Sequence, residues 1–179
     1  MWMESFDEPK LVERARRDPE AFAGLYQRYL PRVYRYLYLR LGSQQDAEDV
    51  TSQVFLEALS ELQRNLYKDR GCFPAWLFTI ARRRLLDFQC KRHDIVLDEY
   101  PDPAPDLIDQ IQFSEKRKHL SLLLDQLDED KRELLRLRFA AQLSFAEIGM
   151  LENRSEEAVK MAVYRIIKRL RENWEAENG

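Results

Sequence analysis

The sequence predicts an all-α protein: two small helical domains joined by a flexible, acidic, proline-containing linker. Three observations predict it. Apolar residues recur at helical spacing along most of the 179 residues, with no strand-like alternation and no internal repeat. Residues 93–113, HDIVLDEYPDPAPDLIDQIQF, set Pro101, Pro103 and Pro105 among acids, a composition that resists a packed helix or strand and suits an extended tether. Beyond it, the run Leu143–Arg171 reads as two helices around a polar turn. The expected domains are residues 1–93 and 114–179, with 94–113 between them.

Taken in order, a first helix is expected from about Pro9 to Arg17, and Asp18-Pro19 starts the next. Residues 20–41 carry Phe22, Leu25, Tyr26, Tyr29, Val33, Tyr34, Leu37, Tyr38 and Leu41 at helical period, with Pro31 as a candidate kink or break. Gly42 ends that helix. Ser43 caps a third, with Asp46 three residues on in a variant of the capping box. This helix turns Ala47, Val50, Val54, Phe55, Ala58, Leu59 and Leu62 inward and leaves Asp46, Glu48, Asp49, Gln53 and Glu57 for its other faces. After the polar stretch Gln63 to Gly71, a fourth helix is expected from about Ala75 to Arg92. In the C-terminal domain the patterns fall at about 114–127, 129–141, 144–151 and 155–174.

The hydrophobic content of 45% suffices for the cores of one or two small domains. No stretch approaches the ~18 apolar residues of a membrane span. The N-terminus MWMESFDEPK is acidic where a secretory signal is basic and then apolar, so a cytoplasmic protein is expected. Cys72 and Cys90 do not make a disulfide framework and are expected as thiols. Cys90-x-x-His93 has half of a zinc spacing, but structural thiols are the simpler reading, and no metal or cofactor is expected. With only His93 and His119 and no glycine-rich phosphate loop, enzyme chemistry finds no constellation. The net charge of −3 conceals segregation: residues 61–93 carry +5, residues 94–130 carry −8, and residues 131–179 carry +2. Two positive blocks flank an acidic one, which is the distribution a phosphate backbone would feel.

Function concentrates in two motifs. In LSFAEIGMLENRSEEAVKMAVYRIIKRLR, Ser144 can cap a short helix, Glu152-Asn153-Arg154 form a turn, and Ser155 caps a second helix. Ala158, Val159, Ala162, Val163, Ile166, Ile167 and Leu170 give that helix one apolar face, while Lys160, Met161, Tyr164, Arg165, Lys168 and Arg169 remain for a major groove. The other motif, Gly71 to His93, interleaves Phe73, Trp76, Phe78 and Phe88 with Arg82, Arg83, Arg84, Lys91 and Arg92. Cations track phosphates and ring faces stack unpaired bases, although Trp76, Ile80, Ala81, Leu85 and Phe88 also fit the core side of a helix. The three consecutive cations Arg82, Arg83 and Arg84 are not all expected to be satisfied by acids nearby, since only Asp87 is close in sequence. A dimeric helix-turn-helix repressor or activator would use the first motif but has no need of the second.

DAEDVTSQVFLEAL (Asp46–Leu59), FPAWLFTIARRRLLD (Phe73–Asp87) and the helix-turn-helix run, in that order and spacing, resemble the extracytoplasmic-function group of bacterial RNA polymerase sigma factors. The resemblance spans roughly residues 10–172. It implies a non-enzymatic initiation factor whose partners are core RNA polymerase, through the beta-prime clamp and beta, promoter DNA, and an anti-sigma factor. Asp46, Glu48, Asp49, Gln53 and Phe55 match the clamp-binding surface. Lys68, Asp69, Arg70 and Phe73 fall in the loop that captures an unstacked minus-ten base. Trp76, Arg82, Arg83, Arg84, Lys91 and Arg92 fall where the opened strand is contacted. Ser155, Glu156, Glu157, Lys160, Tyr164, Arg165 and Lys168 match recognition-helix positions for a duplex minus-thirty-five element. Two departures stand out: Arg83 occupies a position where the family commonly has Asn, and Glu152-Asn153-Arg154 replaces its usual Leu-Gly-Ile. Asn153 can still adopt the left-handed conformation that Gly supplies.

Overall fold

The computed structural model describes residues 8–67, 72–93 and 119–178, all helices and short connections. The chain divides into two compact units, Met1–Pro101 and Asp102–Gly179. The expected linker, 94–113, lies outside the described residues, as do Lys68, Asp69 and Arg70.

In the first unit, α1 (Glu8–Ala15) packs on α2 (Pro19–Leu41), which in turn packs on α3 (Gln44–Gln63) and α4 (Phe73–His93). Asp18 caps α2 by accepting from the Glu20 N–H at 3.0 Å, and Pro19 occupies the first turn, where no backbone donor is needed. Pro31, a candidate kink or break, does not interrupt α2, which runs through it. Pro31 and Gln27, one turn earlier, both lie on the exposed face, so water can take the carbonyl that proline leaves unbonded. Gly42 ends α2 at φ 68°, and its N–H donates to the Tyr38 carbonyl. Ser43 then caps α3 through the Asp46 N–H.

The core of this unit joins Leu25, Val33 and Leu37 of α2 to Val50, Val54 and Leu62 of α3 and Leu77, Phe78 and Leu85 of α4. Tyr36 is fully buried, edge-on to Phe78 at 5.5 Å between centroids, whereas Tyr34 and Tyr38 stack on each other at a half-buried surface. The sequence pattern omits Tyr36 because it assumes a single covered face, and α2 is covered by three neighbours. Tyr29 is buried and donates to Glu8, tying α1 to α2. Burial, reinforced by the Glu8 charge, pushes its phenol well above the ordinary value.

In the second unit, α5 (residues 119–125) precedes α6 (Glu129–Leu135), α7 (Phe145–Glu152) and α8 (Glu156–Asn178). The single helix expected over 129–141 changes pitch: residues Arg136–Ala140 form a π-turn, closed by the Ala141 N–H on the Arg136 carbonyl at 2.9 Å. Leu123, Leu134, Leu137, Leu143, Ile148, Val159 and Val163 make the core. His119 meets Trp174 edge-on at 4.6 Å, so the far end of α8 lies against the first residue of α5.

Candidate nucleic-acid interface

The helix-turn-helix of the second unit is built by local hydrogen bonds that its sequence can supply. Ser144 accepts from the Glu147 N–H at 3.1 Å while Glu147 accepts from the Ser144 N–H at 2.6 Å, a complete capping box at the start of α7. Asn153 ends α7 at φ 53°, ψ 46°, in the left-handed conformation expected of it. The chain then doubles back, with the Arg154 N–H on the Gly149 carbonyl at 2.8 Å. A Cβ on Gly149 would lie 2.7 Å from the Arg154 carbonyl oxygen, so only glycine lets α7 approach this turn. Ser155 caps α8 by accepting from the Ala158 N–H at 3.2 Å.

Once started, α8 seats Val159, Val163 and Ile166 in the core. Glu156, Glu157, Lys160, Arg165 and Lys168 are exposed, and so are Met161 and Tyr164. The side left for a groove is therefore the side the sequence assigns. Tyr164 stands edge-on to Phe145 at 5.9 Å, and Arg138 lies 4.6 Å over the other ring while donating to the Leu143 carbonyl. α7 and α8 are thus braced through aromatic contacts. Ala158 is exposed instead of inward, because the buried seam of α8 is narrower than the periodicity implies. Periodicity alone also missed an open cleft of about 470 Å³ between α6 and α8, floored by Leu134 and Ile166 and edged by Lys131, Arg154, Arg165 and Arg169. No single helix pattern contains that set; it needs the α6–α8 packing.

The first unit brings its expected residues together differently. On α3, Glu48, Asp49 and Gln53 are exposed as one polar face, and Gln44 donates to Glu48 at 2.9 Å. Phe55 is corrected: its ring is 4% exposed and edge-on to Tyr26, part of the core and not of that face. The apolar residue presented there is Leu56, one position on and 68% exposed. A strict inward/outward reading of α3 would have found it, since Leu56 follows Asp49 by two turns and Gln53 by one.

On α4, two of the arginine triplet find acids that the local sequence does not supply. Arg83 is paired with Glu57 and with Glu61, the latter at 2.9 Å, and Arg84 with Glu57. Glu61 foremost, aided by Glu57, holds the Arg83 guanidinium more firmly protonated than usual. Arg92 is paired with Asp46. The acids come from α3, 22 to 46 residues away in sequence, where only helix packing brings them close. Arg82 is half-exposed and Lys91 exposed. Phe73 is buried, and Trp76 is half-buried at 5.4 Å from it and 4.6 Å from Tyr67, so these three rings pack on one another in a cluster and do not form an open stacking surface. Cys72 is buried and Cys90 exposed, and among the described residues no group of three His, Cys, Asp or Glu could hold a metal. No described helix is long and apolar enough to cross a membrane.

Comparison with known proteins bears on both units. The family model for Sigma-70 region 2 matches residues 25–94, and that for Sigma-70 region 4 matches residues 123–172. The chain is 35% identical over 170 residues to the ECF RNA polymerase sigma factor BldN of Streptomyces coelicolor, covering 90% of this chain but only 63% of that protein's length. It is 33% identical over 177 residues to the ECF RNA polymerase sigma factor ShbA of Streptomyces griseus, with 90% of this chain and 92% of that protein covered. Among solved structures, CnrH in complex with the cytosolic domain of CnrY shares the fold, with a TM-score of 0.66, 20% identity, and 93% and 96% of the two chains covered.

Proposed function

The chain belongs to the extracytoplasmic-function sigma factors of bacterial RNA polymerase, and on that premise we propose how its residues direct promoter-specific initiation. Asp46, Glu48, Asp49 and Gln53, with Leu56 among them, dock on the beta-prime clamp of core polymerase, and beta takes a further contact. A charged face with one apolar anchor suits such docking, since charge steers encounter and the anchor adds desolvated contact. The segment from Lys68 to Phe73 captures an unstacked minus-ten base, and Arg82, Lys91 and the paired Arg83, Arg84 and Arg92 follow the opened strand. In the second unit, α8 reads the minus-thirty-five element as duplex, with Lys160, Tyr164, Arg165 and Lys168 toward bases and phosphates, and Ser155, Glu156 and Glu157 at its N-terminal end. Glu156 and Glu157 suit the helix dipole, and one of them can accept from a cytosine amino group. Catalysis belongs to the polymerase, so no catalytic residue and no cofactor is assigned here. The protein works in the cytoplasm, and its remaining partner is an anti-sigma factor that covers the polymerase-docking face.

The observation that carries this reading is α8 itself: a capped helix with its apolar seam buried and its cationic side fully presented. Run-off transcription with core polymerase on a library of genomic fragments tests it. Initiation should depend on the added chain, and Lys160→Ala with Arg165→Ala should abolish its dependence on the upstream element by at least tenfold. Transcription that ignores both the chain and these substitutions overturns the proposal.

A further inference from the structure

We infer that Phe145, the first residue of α7, is a positioning residue for minus-thirty-five recognition that acts through Tyr164; this rests on reading α8 as the helix that enters the duplex. Tyr164 stands on the outer side of α8 and is 53% exposed. Its solvent-side neighbours one turn away on α8 are Lys160, Met161 and Lys168, all exposed and unbranched, and such side chains do not hold a ring in one orientation. The support comes from α7. Phe145 meets Tyr164 edge to face, with 5.9 Å between centroids and 60° between ring planes.

The Phe145 side chain has no hydrogen-bonding atom and is half-buried, so its contribution runs through what it touches. It is itself held from two sides. The Ser144–Glu147 capping box fixes the backbone on which it stands. The Arg138 guanidinium lies 4.6 Å over its ring and donates to the Leu143 carbonyl at 2.8 Å, two residues before it. Arg138 belongs to the π-turn Arg136–Ala140, and Leu143 is buried with its N–H on the Leu137 carbonyl at 3.0 Å. One line of contacts therefore runs from the π-turn through Arg138 and Phe145 to Tyr164. A recognition side chain loses its contact when misplaced by about 1 Å, and a ring backed by a fixed ring keeps its place.

The test uses the full chain with core polymerase on a promoter recovered by run-off transcription, together with versions in which each upstream base pair is replaced in turn. Tyr164→Ala first identifies the positions at which discrimination depends on that ring. Phe145→Leu keeps an apolar side chain and removes the ring; Arg138→Gln keeps a donor for the Leu143 carbonyl and removes the cation over the ring. Each should lower discrimination at those same positions by about two- to tenfold, spare the other upstream positions, and leave affinity for core polymerase within about twofold. Phe145→Tyr, which retains a ring, should retain discrimination. In the Tyr164→Ala background, Phe145→Leu should cost nothing more. An equal loss at every upstream position, or a loss that adds in full to that of Tyr164→Ala, would show a merely structural role and overturn the inference. Should thermal unfolding show that Phe145→Leu does not fold, Arg138→Gln carries the same test. If Tyr164→Ala changes discrimination at no position, the reading of Tyr164 in the duplex fails and the inference with it. If it does change discrimination while Phe145→Leu and Arg138→Gln do not, only the assignment of Phe145 fails.

Discussion

At Gly149 and Gln142 the backbone geometry bears directly on what a substitution would do. Gly149→Ala places a methyl 2.7 Å from the Arg154 carbonyl oxygen, a backbone atom that cannot swing aside. Forced overpacking of this kind costs about 1–3 kcal/mol. Its thermal unfolding midpoint should fall, and protection of the upstream element in a footprint should weaken with it, because the turn orients α8. Gln142 presents the opposite case: it is held at φ 54°, where a Cβ is disfavoured and where, unlike asparagine, glutamine has no compensating local bond preference. Gln142→Gly should stabilise the second unit by up to about 1 kcal/mol in denaturant titration, and a loss of stability would show that its side-chain contacts outweigh the strain. The left-handed Asn153 could be read from the sequence because Glu-Asn-Arg stands between two apolar periods. Gln142 could not, since a glutamine before Leu143 carries no turn signal. Gly149 was equally silent, because what demands it is the chain returning five residues later.

Helix ends in this protein are set by short polar side chains, and those could be read in advance: Ser43, Ser144 and Ser155 all cap as their positions imply. Asp128 caps α6 in the same way, accepting from the Lys131 N–H at 3.0 Å. Hydrogen bonding from the Lys131 side chain, then from its backbone, draws the Asp128 carboxyl below its ordinary value of 3.8. A carboxyl lowered on folding contributes above the unfolded value and loses that contribution as pH falls through the folded one. The stability difference between the native chain and Asp128→Asn, which keeps a capping oxygen without charge, should therefore be constant near neutrality, begin to shrink as pH falls toward 3.8 and be lost only below the lower folded value, as read by urea unfolding across pH. A difference that grew on acidification would contradict this. Less was readable between elements. Periodicity sorts inward from outward on an isolated helix, so it turned Phe55 inward where the family resemblance did not, but it could not bury Tyr36 or expose Ala158. Each of those depends on how many neighbours a helix has.

At the level of the whole molecule, the two-unit all-helical plan was accessible from composition and period, while the electrostatics was not. Summing charge by segment identified residues 61–93 as strongly cationic, yet three of those cations are matched by carboxylates from α3. On the proposed reading, those carboxylates act as resident counter-anions in the places that strand phosphates would take. A single strand arriving at α4 would then swap one bound anion for another in place of shedding a mobile ion. Without such matching, each phosphate contact adds about 0.7 to the slope of log affinity against log salt. For this chain bound to polymerase, that plot should be shallower than its cation count suggests, and Glu57→Gln with Glu61→Gln should steepen it by roughly one contact. An unchanged slope would mean that the pairs stay closed when the strand arrives. What looks like a plain basic helix is in this sense pre-neutralised: on the proposed reading, its grip on nucleic acid would be set less by how many arginines it owns than by how readily a neighbouring helix lets them go.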